Sequence, residues 1–367
     1  MTEHNTAAAQ NTSPVSASTS DEAVVTTVSN GLGRIHLNKP KAINALNTAM
    51  VQSIHTTLKE WKEDSDVQAV LLTGEGDRGL CAGGDIKAIY NDLTTQTGDS
   101  RVFWADEYAM NHLIATYPKP YIAIMDGITM GGGVGVSVHG SVRVVTETTK
   151  VGMPETGIGL FPDVGGTYLL ANVEHSVGMY MGLTGLPIGA ADTIAYGLAD
   201  HFVPREHLGE LITHVLENPA EAPQAVAEFA KKFSAEIPDP VLKSDEPWIE
   251  ACFSGETVTD ILAALDGRDE ENAQKTADVI RSKSPRSVVV THEMIRTAST
   301  MDLQAVLERD YRAAMNIGNY PDLVEGIRAQ VIDKDRNPQW QPASIAEVDT
   351  DEISSIINDP ADRKVFE

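Results

Sequence analysis

The sequence predicts an α/β fold: a core in which strands alternate with helices, followed by a helical region. Three observations carry this. Two apolar runs, 67–73 and 121–125, each lead into a glycine-rich turn, as buried strands do. Helical spacing separates the strand-like runs, with Met50, Ile54, Leu58 and Trp61 the clearest case. From about residue 205 the strand-like runs give way to long amphipathic stretches.

Residues 1–21 are rich in Thr, Ser, Ala, Asn and Gln and read as a disordered tail. Strand patterns at 24–28 and 33–37 flank Asn30-Gly31, a strong hairpin signal. Residues 38–46 form a loop, and a helix spans 48–63. The strand at 67–73 leads to the first turn, Ala82-Gly83-Gly84-Asp85. Asp85 opens a helix over 85–91, where a carboxylate suits the N-terminus. A helix over 101–117 packs through Phe103, Tyr108, Leu113 and Ile114, and Pro118 and Pro120 end it.

The strand at 121–125 runs into the second turn, Gly131-Gly132-Gly133, then a short helix at 134–139 and a strand at 142–145. A loop over 150–166 carries Glu155 and Asp163, and helices follow at 167–182 and 189–196. Beyond it, helical stretches run through 206–217, 222–235, 256–265, 269–282, 285–299 and 302–317, punctuated by prolines. Residues 332–340 read as a loop. The organisation is thus a tail at 1–21, a core at 22–205, a helical region at 206–345 and a C-terminal tail at 346–367. No 20–50-residue repeat is present.

Hydrophobic residues make up 42% of the 367, enough for a substantial core. A net charge of −25 argues against nucleic acid, because few cations remain to neutralise a phosphate backbone. It argues equally against a polybasic membrane anchor. Two cysteines, Cys81 and Cys252, make no disulfide framework and fit a reducing compartment. No apolar run is long enough to span a membrane, and residues 1–20 lack the apolar core of an export signal. The expected location is the cytoplasm.

Two turns that each aim a backbone N–H at one point suit an oxyanion hole. Glu155 and Asp163, set just beyond the second turn, could serve as nucleophile, base or acid. Together they form a toolkit for attacking or enolising a carbonyl. Other motifs are weaker. Gly74-Glu75-Gly76-Asp77-Arg78-Gly79 fits a dinucleotide pattern, but its acids oppose a pyrophosphate and no helix opens at its last glycine. Gly135-Val136-Ser137-Val138-His139 misses the nucleophile elbow by its last glycine. Cys81 lacks an assignable histidine partner and reads as a small buried residue. The ten histidines are scattered, so no zinc site is expected, and Asp333 and Asp335 read as surface charge rather than metal ligands.

These residues resemble the enoyl-CoA hydratase/isomerase, or crotonase, superfamily. The likeness rests on 37–46 (Leu-Asn-Lys-Pro-Lys-Ala-Ile-Asn-Ala-Leu), Cys81-Ala82-Gly83-Gly84-Asp85-Ile86 and Met130-Gly131-Gly132-Gly133. It implies a spiral of ββα units that binds acyl-CoA thioesters. The implied donors to the thioester oxygen fall on Ala82 and Gly132. Residues 153–166 and the distal Glu325-Gly326-Ile327-Arg328-Ala329, Ile332-Asp333-Lys334-Asp335 and Pro338-x-Trp340-x-Pro342 are similar to the 3-hydroxyisobutyryl-CoA hydrolase subfamily. That likeness implies thioester hydrolysis in valine breakdown, with Glu107, Gly132, Glu155 and Asp163 touching substrate. One departure separates it from hydratases: the position of their first catalytic glutamate is Gly135 here.

On this reading Glu155 attacks the carbonyl or activates water, while Asp163 binds the acyl 3-hydroxyl or moves a proton. Glu107 orients the hydroxyl or the water. Coenzyme A contacts are expected from Lys39, Lys41, Ala82, Gly84 and Asp85, with Lys87 a further cation. No metal or other cofactor is expected, CoA being part of the substrate. A homo-oligomer is a plausible assembly for the resemblance, and a hydratase or isomerase on the same fold is the alternative activity.

Overall fold

A computed structural model of the chain describes residues 22–366. The tail read at 1–21 lies outside the described residues. Strands β1 (Val24–Ser29) and β2 (Leu32–Leu37) form the predicted hairpin. Asn30 and Gly31 both have positive φ, which a two-residue hairpin requires. Helix α1 (Thr48–Glu63) starts where the Asn47 side chain accepts the Met50 N–H. It buries Met50, Ile54, Leu58 and Trp61.

Strand β3 (Ala69–Gly74) is buried along nearly its whole length, and so reads as one apolar run. Helices α2 (Ile86–Thr95) and α3 (Asp99–Ala115) separate it from β4 (Tyr121–Met125), which is wholly buried. Then come β5 (Ile128–Met130), helix α4 (Gly132–Ser137), β6 (Val142–Val145), β7 (Lys150–Gly152), β8 (Ile188–Gly189) and β9 (His201–Phe202). The main sheet has the order β1-β2-β3-β4-β6-β9, parallel from β2 onward. A smaller sheet joins β5, β7 and β8. The crossovers between its parallel strands run through helices, so the C-terminal ends of those strands lie on one edge of the sheet.

From Leu208 the chain is helical, as the patterning predicts. Short helices at Glu246–Phe253 and Pro321–Ile327 were not predicted. The expected loop at 150–166 includes β7 and a 3-10 turn, Glu155–Ile158. The expected C-terminal tail at 346–367 also differs. It contains a helix, Thr350–Asn358, that buries Ile353, Ile356 and Ile357 against the helix Leu303–Ile317. Asn316 ties down its end by donating to the carbonyls of Ser355, Ile356 and Asp359. Among the described residues, no helix is long and apolar enough to cross a membrane.

Candidate active site

The two glycine turns lie side by side. Cys81 N–H donates to Ile128 O at 3.1 Å, and Met130 N–H donates to Cys81 O at 3.0 Å. The approach is so close that a Cβ on Gly133 would stand 2.3 Å from Cys81 O. Gly131 adopts φ 51° and ψ −122°, a conformation only glycine takes without strain.

This pairing decides which amides face inward. Gly83 O accepts from Leu46 N–H, and Asp85 N–H donates to Leu46 O. In such a parallel bridge the residue between them points its own N–H the other way. The Gly84 N–H therefore faces the second turn, and its nitrogen lies 3.4 Å from where a Cβ on Gly132 would stand. Neither the Gly84 nor the Gly132 amide has a hydrogen-bond partner among the described residues. Ala82 is different: its N–H donates to Ile43 O at 2.9 Å. The expected oxyanion donor at Ala82 is thus corrected, since its proton is already used. The free pair is Gly84 and Gly132.

Three carboxyl groups close on this pair. Glu107 comes from α3, Glu155 from the first residue of its 3-10 turn, and Asp163 from the loop before the helix Gly166–Ala171. All three are buried. A Cβ on Gly132 would stand 2.5 Å from Glu107 Oε1, and one on Gly131 would stand 2.7 Å from Glu155 Oε1. The Tyr108 hydroxyl donates to Asp163 Oδ2 at 2.7 Å. Glu107 Oε1 and Glu155 Oε2 are buried without a partner. Buried polar atoms are normally paired, so these two oxygens are available to bind a polar group of a ligand.

The electrostatics follow from burial. Burial pushes Glu107 and Glu155 well above the ordinary carboxylate range, and the charge of Asp163 pushes both further. Burial raises Asp163 to about 6, with the Tyr108 hydroxyl pulling it back. Like charges this close cannot all ionise together. The cluster therefore holds protons near neutral pH, which gives it both an acid and a base.

The helical region grips the loop that carries Glu155. A Cβ on Gly326 would stand 2.4 Å from Ile158 O, and one on Gly159 would stand 2.3 Å from Asp322 O. The Ser284 N–H donates to Thr156 O, and the Ser284 hydroxyl donates to Asp322 Oδ2. The distal Glu325-Gly326 signature thus makes backbone contact with the loop that carries Glu155. Gly135 also has a clear reason. A Cβ there would stand 2.8 Å from Asn111 Nδ2 and 2.9 Å from Val164 Cβ. Asn111, one helical turn beyond Glu107, fills the space a side chain at 135 would need. Its amide, buried with neither end partnered, gave no signal in the sequence.

Other candidates resolve plainly. Lys39 and Asp85 pair with each other at 3.0 Å, while Lys41, Ala82 and Lys87 are exposed beside the first turn. The Cys81 thiol is buried and pushed up to about 12, so it is no nucleophile. Ser137 donates to Gly133 O inside its helix. Asp333 and Asp335 both accept from Arg328 rather than flanking a metal. No helix opens after Gly79, which leaves the dinucleotide pattern as a turn.

Comparison with known proteins identifies the family. The family model described as enoyl-CoA hydratase/isomerase matches residues 32–357. The "3-hydroxyisobutyryl-CoA hydrolase, mitochondrial" of Xenopus laevis is 40% identical over 330 residues, spanning 88% of this chain and 85% of that one. Its Homo sapiens counterpart is 36% identical over 328 residues, with the same coverage of 88% and 85%. A crystal structure of a carnitinyl-CoA dehydratase from Mycobacterium thermoresistibile superimposes with TM-score 0.88 at 44% identity, covering 94% of this chain and 98% of that one. The match over most of the described residues, glycine turns and distal signature alike, establishes that this chain belongs to the enoyl-CoA hydratase/isomerase family.

Proposed function

We propose that the protein hydrolyses a 3-hydroxyacyl-CoA thioester, 3-hydroxyisobutyryl-CoA above all, to the free hydroxy acid and CoA. The observation that carries this is the pair of unused N–H groups, on Gly84 and Gly132, facing three buried carboxyl groups. The names of the vertebrate relatives support the substrate.

In this reading the thioester oxygen sits between the two amides. Each donor contributes roughly 3 kcal/mol to the transition state, by comparison with measured oxyanion holes. Glu155 is the group that attacks or that activates the attacking water. As nucleophile it forms a mixed anhydride that water then opens; as base it deprotonates water directly. In both routes the C–S bond breaks and the thiolate takes a proton from the carboxyl cluster. Single turnover in labelled water separates the direct route from an anhydride that water opens at the Glu155 carbonyl, because only the latter places the label in Glu155. Asp163 holds the acyl 3-hydroxyl or relays the proton, and Glu107 orients the water. Lys39, Lys41 and Lys87 are the proposed contacts to CoA phosphates. The chemistry so written uses no cofactor besides the CoA of the substrate.

A hydratase or dehydratase activity is the second reading. It is favoured by solved relatives with those names, including an enoyl-CoA hydratase from Rhodobacter sphaeroides at 37% identity and TM-score 0.82, covering 92% of this chain and 97% of that one. Gly135 opposes it, since Asn111 and Val164 occupy the space a carboxylate there would need. The test mixes purified protein with 3-hydroxyisobutyryl-CoA and follows free thiol. Fast release, with no loss of crotonyl-CoA absorbance, supports the hydrolase. Hydration of crotonyl-CoA without thiol release overturns it. Two buried free cysteines fit a reducing compartment, for which we propose the cytoplasm. The relatives are named as mitochondrial, so cell fractionation decides. A homo-oligomer is part of the proposal and is read by light scattering.

A further inference from the structure

The turn Asp163–Gly166 is closed by the Gly166 N–H donating to Asp163 O at 2.6 Å. Its two central residues, Val164 and Gly165, have φ of 53° and 74°. Positive φ at both positions normally calls for Asn, Asp or Gly. A β-branched valine there is an outlier that persists only when its surroundings hold it. Outliers of this kind gather at functional sites, and this one follows Asp163 directly.

The hold is visible on the Val164–Gly165 peptide group. Its carbonyl meets His139 Nε2 at 2.8 Å, and its N–H donates to Asp310 Oδ2 at 2.9 Å. A carbonyl only accepts, so the imidazole must carry its proton on Nε2. Burial lowers His139 to about 4, leaving the ring neutral and in that donor role. Asp310 is fully buried on the helix Leu303–Ile317, far along the chain in the helical region. Its neighbour Arg309 donates to Thr167 Oγ1, one residue past the turn. A Cβ on Gly165 would stand 2.7 Å from Leu303 Cδ1 and 3.0 Å from the His139 ring. The turn is thus enclosed from the core and from the helical region at once.

We infer that His139 and Asp310 are positioning residues: they clamp one peptide from both ends, hold Val164 in its left-handed conformation, and so aim the Asp163 carboxyl at the substrate. The inference rests on the role proposed above for Asp163. It gives the helical region a direct part in catalysis, and gives a purpose to a histidine that the reaction itself leaves unused.

The test measures kcat and KM of the full chain for 3-hydroxyisobutyryl-CoA in four variants, with thermal melts as folding controls. Asp310→Ala lowers kcat by about tenfold to a hundredfold with a smaller change in KM, the cost of a displaced catalytic group. Asp310→Asn keeps an acceptor oxygen and stays within about threefold of the parent, because the peptide remains held. Adding Val164→Gly to Asp310→Ala recovers part of the loss, since glycine adopts positive φ unaided. Full activity in folded Asp310→Ala overturns the clamp, and so does equal impairment of the Asn and Ala variants, or an Ala defect that Val164→Gly fails to relieve. If Asp310→Ala does not fold, His139→Gln against His139→Ala gives the same comparison from the other end. Asp163→Asn separates the two layers. Full activity there removes Asp163 from the mechanism, whereas a defective Asp163→Asn beside an unaffected Asp310→Ala removes only the clamp.

Discussion

The two walls of the site are built by opposite means. The wall proposed to hold the oxyanion is backbone: two free amides on glycine turns that pack too closely for side chains. The carboxylate wall is side chain: three buried acids, two of them with an unpartnered oxygen. The first wall is assembled within the core by strand pairing. The second depends on the helical region, which braces the Glu155 loop through Gly326 and Asp322. A backbone wall is fixed once the strands pair, while a wall of buried acids needs outside bracing against its own repulsion.

Glu155→Gln breaks the carboxylate wall at its centre and gives the largest expected effect. It keeps the shape and removes the oxygen nucleophile or base, so kcat falls by about a thousandfold or more. The melting temperature holds or rises, because a buried acid whose ionisation its surroundings oppose has been replaced by a neutral amide. Near-parent thioester cleavage in this folded variant would falsify any role for Glu155.

Gly132→Ala breaks the other wall. Its Cβ would stand 2.5 Å from Glu107 Oε1 and 3.4 Å from the Gly84 nitrogen, within the space assigned to the thioester oxygen. The loss in kcat is about a hundredfold, close to that of removing one oxyanion donor. The stability cost is small, since the end of the Glu107 side chain can swing aside. Activity that survives the methyl would mean that the thioester oxygen lies elsewhere.

The walls also differ in how far the sequence revealed them. Helix α1 at 48–63 and strand β4 at 121–125 are read to the residue, because helical periodicity and a continuous apolar run are local signals. The glycine turns are equally visible, yet the first donor is misplaced by two residues. Composition shows that a turn can present an amide, but the partner strand at Leu46 decides which amide points in. The carboxylate wall is less legible still. Glu155 and Asp163 stand out by their place just beyond the second turn, Glu107 only through resemblance, and Asp310 reaches Gly165 across 145 residues of chain with no pattern to announce it. The last helix reads as a tail in sequence, because its apolar signal is three isoleucines over a single turn and a half.

Titration separates activity from stability at the carboxylate wall. Glu155 must be ionised to attack or to take a proton from water, and burial and Asp163 hold it well above the ordinary carboxylate range, so kcat falls as pH drops through the raised range of the cluster, in which Asp163 lies at about 6. Stability runs the other way. Asp163, and Asp310 raised to about 8, have folded values above the ordinary carboxyl range. Their stabilising contribution is complete below the unfolded value of about 4 and is lost as pH rises through 6 and then 8. Arg309 and Asp163 are the charges that act on Asp310, in opposite directions. Thermal melts should therefore decline from pH 5 to 8, and Asp310→Asn should flatten the upper part of that decline. A melting temperature that climbs over this range would sink the assignment of raised carboxyls.

The smallest effect sharpens the contrast on the oxyanion wall. Cys81 lies inside the first turn, next to the residues that shape it, and its thiol donates weakly to Asn44 O at 3.3 Å. Its value to the site lies in the backbone: its N–H and carbonyl bind Ile128 and Met130 and lock the two turns together. Cys81→Ala leaves those bonds intact and removes one buried sulfur, so kcat should stay within about twofold while stability drops by about 1 kcal/mol. Iodoacetamide should leave the native enzyme active, because a buried thiol raised to about 12 offers no thiolate at neutral pH. A large catalytic loss in Cys81→Ala would show that this wall, too, works through a side chain.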